Sequence, residues 1–458
     1  MDSEIYTRSL CQRPMLLKTT RLLLHTIAIG VCLGPAVGAG AVGNPAATAD
    51  EHAHIEFLKG HWQTPIPPQG KAPAHLPSIE RSLDPESCGA CHRPQYEDWI
   101  GSLHSKSMGP GVRGQTMELI QDNPKMAILC YSCHAPLSEQ QEKTEKKEAA
   151  SSRVKKKHRV AGSSSSSSDG RGNVVSKLKT NQAFSASLQQ KGLSCAGCHV
   201  RRHQRFGPPK RDGSIENSAT AAQLPHGGAV RTAAFERAEF CKGCHQFEPD
   251  GYALNGKLLE NTYNEWKEGP YARAGKSCQS CHMPGRRHLW RGIHDPEMVK
   301  QGVSVRLLLD KKRYQVGEQL RAEITLTNTG VGHDVPTYVT PKIVVRFELV
   351  DADGKLVEKS AQEERIGREV TLDLMHELFD TRIASGQSRT VRYVRAIDRT
   401  GLTLRASVVV APDDFYIQFF EATAPKAKTN EGRALLEQAA REGRARSFPL
   451  FTENVTVS

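Results

Sequence analysis

The tightest constraint on this chain is one short pattern, Cys-x-x-Cys-His, that occurs five times. Its copies are Cys88-Gly-Ala-Cys91-His92, Cys130-Tyr-Ser-Cys133-His134, Cys195-Ala-Gly-Cys198-His199, Cys241-Lys-Gly-Cys244-His245 and Cys278-Gln-Ser-Cys281-His282. They use ten of the 12 cysteines, and the other two, Cys11 and Cys32, fall within the first fifty residues. Disulfides, zinc sites or redox dithiols would each account for paired cysteines, but none of them calls for a histidine directly after every second one. Two thiols that add to the two vinyl groups of one haem, with the next imidazole placed under the ring on the iron, do call for it. The spacing therefore predicts five covalently attached haem c groups, with His92, His134, His199, His245 and His282 as proximal ligands.

The first segment predicts the compartment. Arg8, Arg13, Lys18 and Arg21 precede an uncharged run from Leu22 to Ala49 that opens Leu-Leu-Leu-His-Thr-Ile-Ala-Ile and then turns rich in Gly and Ala. Ala47-Thr48-Ala49 supplies a small-x-small site, so the layout predicts a secretory signal over residues 1–49, cleaved before Asp50. The competing reading is an uncleaved anchor, since the run is long enough to cross a bilayer; Pro35, Pro45 and the glycines make its second half a poor spanning helix. Cleavage removes four basic and two acidic side chains, so the formal charge falls from +12 to +10. Spread basic residues with no recognisable module argue against nucleic acid as a partner. The expected location is periplasmic or extracellular, with membrane or cell-surface association and oligomer formation left open.

An α + β multidomain fold is expected. Residues 50–298 carry all five motifs, with helical stretches such as 95–107 and 232–244 between loops rich in Gly and Pro, so this part is expected to be organised around porphyrin plates. Within it, residues 142–171 are crowded with Lys, Glu and the six serines 163–168, which reads as a solvated, disordered insertion. From Val303 the pattern becomes alternating and β-branched, at 303–307, 320–326, 343–349, 388–396, 403–410 and 415–420, with a turn at 351–354. This predicts an antiparallel β-sandwich of immunoglobulin-like size over 301–425. A C-terminal helix, Glu431 to Glu442 and stopped by Gly443, and a tail then complete residues 428–458.

Each iron needs a second axial ligand. Of the 18 histidines, His25 leaves with the signal, and five are proximal. Twelve remain for at most five distal positions, so two-histidine coordination is the expectation; it suits electron transfer rather than chemistry at the iron. His104 is the first candidate, standing twelve residues after His92 on a helical segment that can carry it to a neighbouring haem. His226 and His294 sit near glycines that let the backbone approach a flat ring. His61 and His333 complete the set, and His333 would require the β domain to lend a ligand to the haem part. His203 and His288 follow their own proximal residues too closely to reach the far face of the same haem, and are reserves for an adjacent one.

The stretch from Cys88 to His104, with Tyr96, Trp99, Ser102 and His104 after the motif, resembles the multihaem cytochromes of the cytochrome c-554 type, the group that accepts electrons from hydroxylamine oxidoreductase. Cys130-Tyr-Ser-Cys-His-Ala-Pro136 and Cys278-Gln-Ser-Cys-His-Met-Pro284 are similar to that wider family. The resemblance covers roughly residues 85–285. It implies closely stacked haems, an electron-transfer role and His104 as a distal ligand. The type member has four haems and no large β domain, so the resemblance does not imply a pairing with hydroxylamine oxidoreductase. The leading expectation is an exported electron carrier between redox protein partners, with no catalytic residues. The alternatives are an oxidoreductase acting on a small nitrogen compound at one open haem, and a subunit of an extracellular cytochrome filament.

Overall fold

The computed structural model describes residues 45–145, 178–215 and 224–458. Most of the expected signal therefore lies outside the described residues; residues 45–49 open helix α1 (Pro45–His61). The described residues divide into two units, one ending at Ile55 and one running from Glu56 to Ser458. No described helix is long and apolar enough to cross a membrane.

In the cysteine-bearing half the helices are short and are set by local capping. Helix α2 (Arg93–Gly101) ends where Ser102 Oγ donates to the Trp99 carbonyl, so the expected stretch to residue 107 continues as turns rather than helix. Helix α3 (Pro110–Asp122) is followed by α4 (Pro124–His134), whose cap residue Asn123 accepts from the Met126 amide at 3.2 Å, with proline at the first helical position. The stretch expected at 232–244 is broken into a 3-10 turn (Ala233–Glu236) and α5 (Glu239–His245), because Thr232 caps the turn and Arg237 is extended. Residues 146–171 of the expected insertion lie outside the described residues. Its first residues, Lys143–Glu145, form a short strand paired antiparallel with Leu178–Thr180.

Seven longer strands follow: β1 (Val303–Leu309), β2 (Gln319–Asn328), β3 (Lys342–Val350), β4 (Gln362–Ile366), β5 (Ser388–Ala396), β6 (Thr403–Ala411) and β7 (Phe448–Thr456). They make a three-stranded sheet, β5-β2-β1, and a four-stranded sheet, β4-β3-β6-β7, antiparallel throughout. Alternation along each strand sends one set of side chains inward. Leu320, Ala322, Ile324 and Leu326 of the first sheet share one buried cluster with Ile343, Val345, Phe347, Leu404, Ala406 and Val408 of the second. Phe347 and Tyr393 stack across the two sheets at 5.2 Å. At about 2 kcal/mol for each large aliphatic side chain buried, this cluster can carry its own fold. The cysteine-bearing half has no comparable cluster among the described residues; its largest holds only Ile66, Leu137, Leu188, Ala196 and Val200 as buried members.

Three expectations fail in the last fifty residues. The segment expected as a strand at 415–420 is helix α6 (Asp414–Thr423), because its aromatics, at 415, 416, 419 and 420, recur with the helical and not the strand period. Helix α7 (Asn430–Ala445) runs through Gly443, whose missing Cβ admits Ile417 of α6; a Cβ there would stand 2.9 Å from Ile417 Cγ1. The tail is no tail: it is β7, hydrogen-bonded along β6.

Candidate haem centres

Four of the five motifs lie on a turn of helix, and in the first the helix ends at Gly89, before Cys91 and His92. Cys195–His199 and Cys278–His282 are helices made of the motif itself, and α4 and α5 end on their motif histidines. Positions i, i+3 and i+4 share one helix face, so both thiols and the imidazole of a motif point the same way. No haem accompanies the chain, so the residues themselves must show whether one fits. Two imidazoles on opposite sides of one iron put their ring centres about 6 Å apart, since a metal–imidazole bond is about 2.0 Å and a ring atom lies about 1.1 Å from its centre. Four motif histidines face a second histidine at that separation: His92 and His226 at 6.1 Å, His199 and His288 at 6.2 Å, His245 and His104 at 6.3 Å, and His282 and His333 at 6.4 Å.

The ring nitrogens sort the histidines further. An iron-bound imidazole uses Nε2 and gives its Nδ1–H to a fixed acceptor, which sets the tautomer and the ring orientation. His134 Nδ1 bonds to Ser107 O (2.8 Å), His199 to Phe206 O (2.8 Å), His282 to Arg291 O (2.6 Å), His288 to Arg286 O (3.1 Å) and His333 to Asp334 O (2.8 Å). His245 Nδ1 bonds to Tyr338 Oη at 2.6 Å. Two of the five expected distal residues are placed otherwise. His61 Nε2 bonds to Cys198 O at 2.8 Å, its ring packed among Phe57, Phe206, Phe235 and Phe240, and His294 Nε2 bonds to Asp413 at 3.0 Å. His203 Nε2 bonds to Gly70 O, and neither it nor these two stands opposite a motif histidine. His288, a reserve in the sequence reading, takes the place expected for His61 or His294. Nothing in the sequence marks that exchange, because the facing residue lies 89 positions from His199 and is brought there only by the tertiary fold.

Burial lowers the pKa of the imidazoles of His104, His199, His226, His245, His282, His288 and His333, which favours the neutral form that binds metal. It holds His104 at about 3, helped by His245 and His134, and His199 at about 4. His245 is also held at about 4, by burial together with His282, His333 and His134. Cys88 lies beside Cys195, Cys133 beside Cys244 and Cys241 beside Cys278, so the first motif neighbours the third, and the fourth neighbours both the second and the fifth.

Residues 114–295 match the family described as outer membrane cytochrome MtrC/MtrF-like, domains II/IV. With the motif and the facing histidines, that match decides the family at its broad level. The chain is a multihaem c-type cytochrome. Among solved structures, this cytochrome is similar to a penta-heme cytochrome c552 from Thermochromatium tepidum, at 16% identity over 82% of the present chain and 99% of the other, with a TM-score of 0.49. A β-glucosidase from Listeria innocua is similar over 24% of this chain and 14% of its own, at 15% identity and a TM-score of 0.15. No curated protein matches the sequence.

Among the described residues from Glu56 onward, no histidine ring stands opposite His134. Its neighbourhood holds Tyr416 of α6 beside Cys130 and Glu260 beside Cys133; burial pushes the two up to about 12 and about 8. Tyr338, which orients His245, had no signal in the sequence beyond the unusual Gly, Pro and Thr content of its loop.

Proposed function

We propose that the chain is an exported pentahaem cytochrome c that relays electrons between a donor and an acceptor protein. The observation that carries this reading is the set of four facing histidine pairs, each with one member in a Cys-x-x-Cys-His motif. In it, His226, His288, His104 and His333 are the distal ligands for the haems of His92, His199, His245 and His282. Low-spin irons closed on both sides exchange electrons with little rearrangement, and the paired cysteines of neighbouring motifs support haems close enough for rapid transfer. Residues 303–456 are then an immunoglobulin-like sandwich that contributes one ligand, His333. Residues 1–49 are a secretory signal, and the likeness to outer membrane cytochrome domains favours a place at the outer surface of the cell. Pyridine haemochrome analysis of the secreted protein tests the count. Five haems per chain are expected, and a value near zero, or bound zinc in the intact mass, overturns the reading.

A second reading rests on His134. An iron there without a second histidine is open to a small ligand, and the protein would then act on a small nitrogen compound at that haem. Reduced protein should bind one carbon monoxide per chain on this reading and none if all five irons are closed.

A further inference from the structure

The residues between the last motif and β1 form a loop that touches three of the proposed haem sites at once. Trp290 packs edge-on against His104 at 4.6 Å and against His288 at 5.0 Å, so one indole separates the distal histidines of two neighbouring sites. Its amide donates to the carbonyl of His282 at 3.0 Å, and the next carbonyl, Arg291 O, receives His282 Nδ1. Trp290 holds this position with φ at 42°, in the left-handed region that a bulky aromatic side chain rarely enters. Such a conformation persists where the surrounding contacts over-determine it.

The residues just before Trp290 are tied to Asp98. This carboxylate, on α2 and 5% exposed, takes Arg287 through Nε at 2.7 Å and Nη2 at 2.5 Å, and accepts the His288 amide at 2.9 Å. The Arg287 hydrogen bonds hold the carboxyl below its ordinary value against the opposing effect of burial. Helix α2 leads through Trp99, whose indole N–H is fixed on Leu193 O, into the turn that carries His104. One acid therefore anchors the two segments that present His104 and His288, and one indole sets the space between their rings.

We propose that Asp98 and Trp290 form a single clamp that fixes the ring orientations of His104 and His288 together, so that the haems of His245 and His199 share one structural control. Both are positioning residues; neither touches iron. The inference rests on the reading of these histidines as axial ligands. Orientation of an axial imidazole sets the low-spin EPR signature and the potential of its haem, and a merely structural role for the clamp would leave both unmoved in a folded variant.

The test uses the full chain with its haems. His104→Ala and His288→Ala first assign two low-spin EPR signals by removing one each. In Trp290→Leu, and separately in Asp98→Asn, both assigned signals are expected to shift together with their potentials, at unchanged covalent haem content. Trp290→Phe, which keeps a ring between the histidines, is expected to stay close to the unaltered protein. A change confined to one signal, no change in a folded variant, or a phenylalanine variant that behaves like the leucine one overturns the clamp. If Trp290→Leu fails to fold, Asp98→Asn decides alone. Absence of haem from the unaltered protein instead removes the reading beneath it.

Discussion

At the scale of single residues, ring nitrogens decide more than position in the chain. His104 and His61 are both held at about 3, the second by burial and Arg201, yet only His104 faces another histidine; His61 has spent Nε2 on a carbonyl. Replacing His104 with alanine is expected to turn one low-spin haem high-spin at unchanged covalent haem content. His61→Ala is expected to leave every spin state alone. EPR of the oxidised variants separates the two outcomes, and a spectrum unaltered in His104→Ala removes it as a ligand. Tyr338 gives a second prediction. With Nε2 turned to an iron, His245 Nδ1 would donate to the Tyr338 oxygen, which would make that imidazole a stronger ligand and favour the ferric state. Tyr338→Phe should raise the potential of one haem in spectroelectrochemical titration and leave the rest in place.

At the scale of elements, the loop between β2 and β3 shows how a sheet can hold a histidine against another part of the chain. Asn328, 1% exposed at the end of β2, donates to the carbonyls of His333 and Ile383 and accepts from the Val331 amide, so it ties down the turn that presents His333. Asn328→Ala leaves these groups without partners and is expected to cost about 2 kcal/mol. It should also let carbon monoxide reach one more haem than in the unaltered protein; chemical unfolding and the carbon monoxide stoichiometry measure the two effects. The strands themselves were legible: β5 begins and ends where alternation predicts, and β1, β2, β3 and β6 do so within two residues. That pattern is written locally by the inward and outward faces of each strand. Helix α6 was not: its aromatics keep the helical period, but a short, mostly apolar run at 415–420 passes for a buried strand until its partner, α7, is known. The motif histidines were legible from spacing alone. Their partners were legible in part: His104, His226 and His333 stood among the candidates, but which motif each one faces is chosen by the fold, and His288 carries no mark that His294 lacks.

At the scale of the whole molecule, ion pairs join the β part to the helices. Arg382 bridges Glu265 at 2.6 Å and Asp380 at 2.9 Å, and Asp380 also takes Lys257 at 2.7 Å. Burial pushes the Asp380 carboxyl up, but Arg382 and Lys257 outweigh it and hold the group far below the ordinary value. A carboxyl with a depressed folded-state value stabilises above its unfolded value, near 4 for aspartate, and loses that contribution as pH falls. The midpoint of denaturant unfolding should therefore drop between pH 5 and pH 3, and should drop less in Asp380→Asn; equal losses in both proteins would show that other groups carry the acid sensitivity. The facing histidine pairs have a different consequence at this scale. Every pair joins residues at least about 50 positions apart, across a half of the protein that has little apolar core of its own. Once iron sits between them, each pair is a reversible cross-link closing a long loop, the kind of tie that restrains an unfolded chain most. Ferrous and ferric iron do not hold imidazole equally, so the rigidity of this half becomes a function of how many electrons it carries.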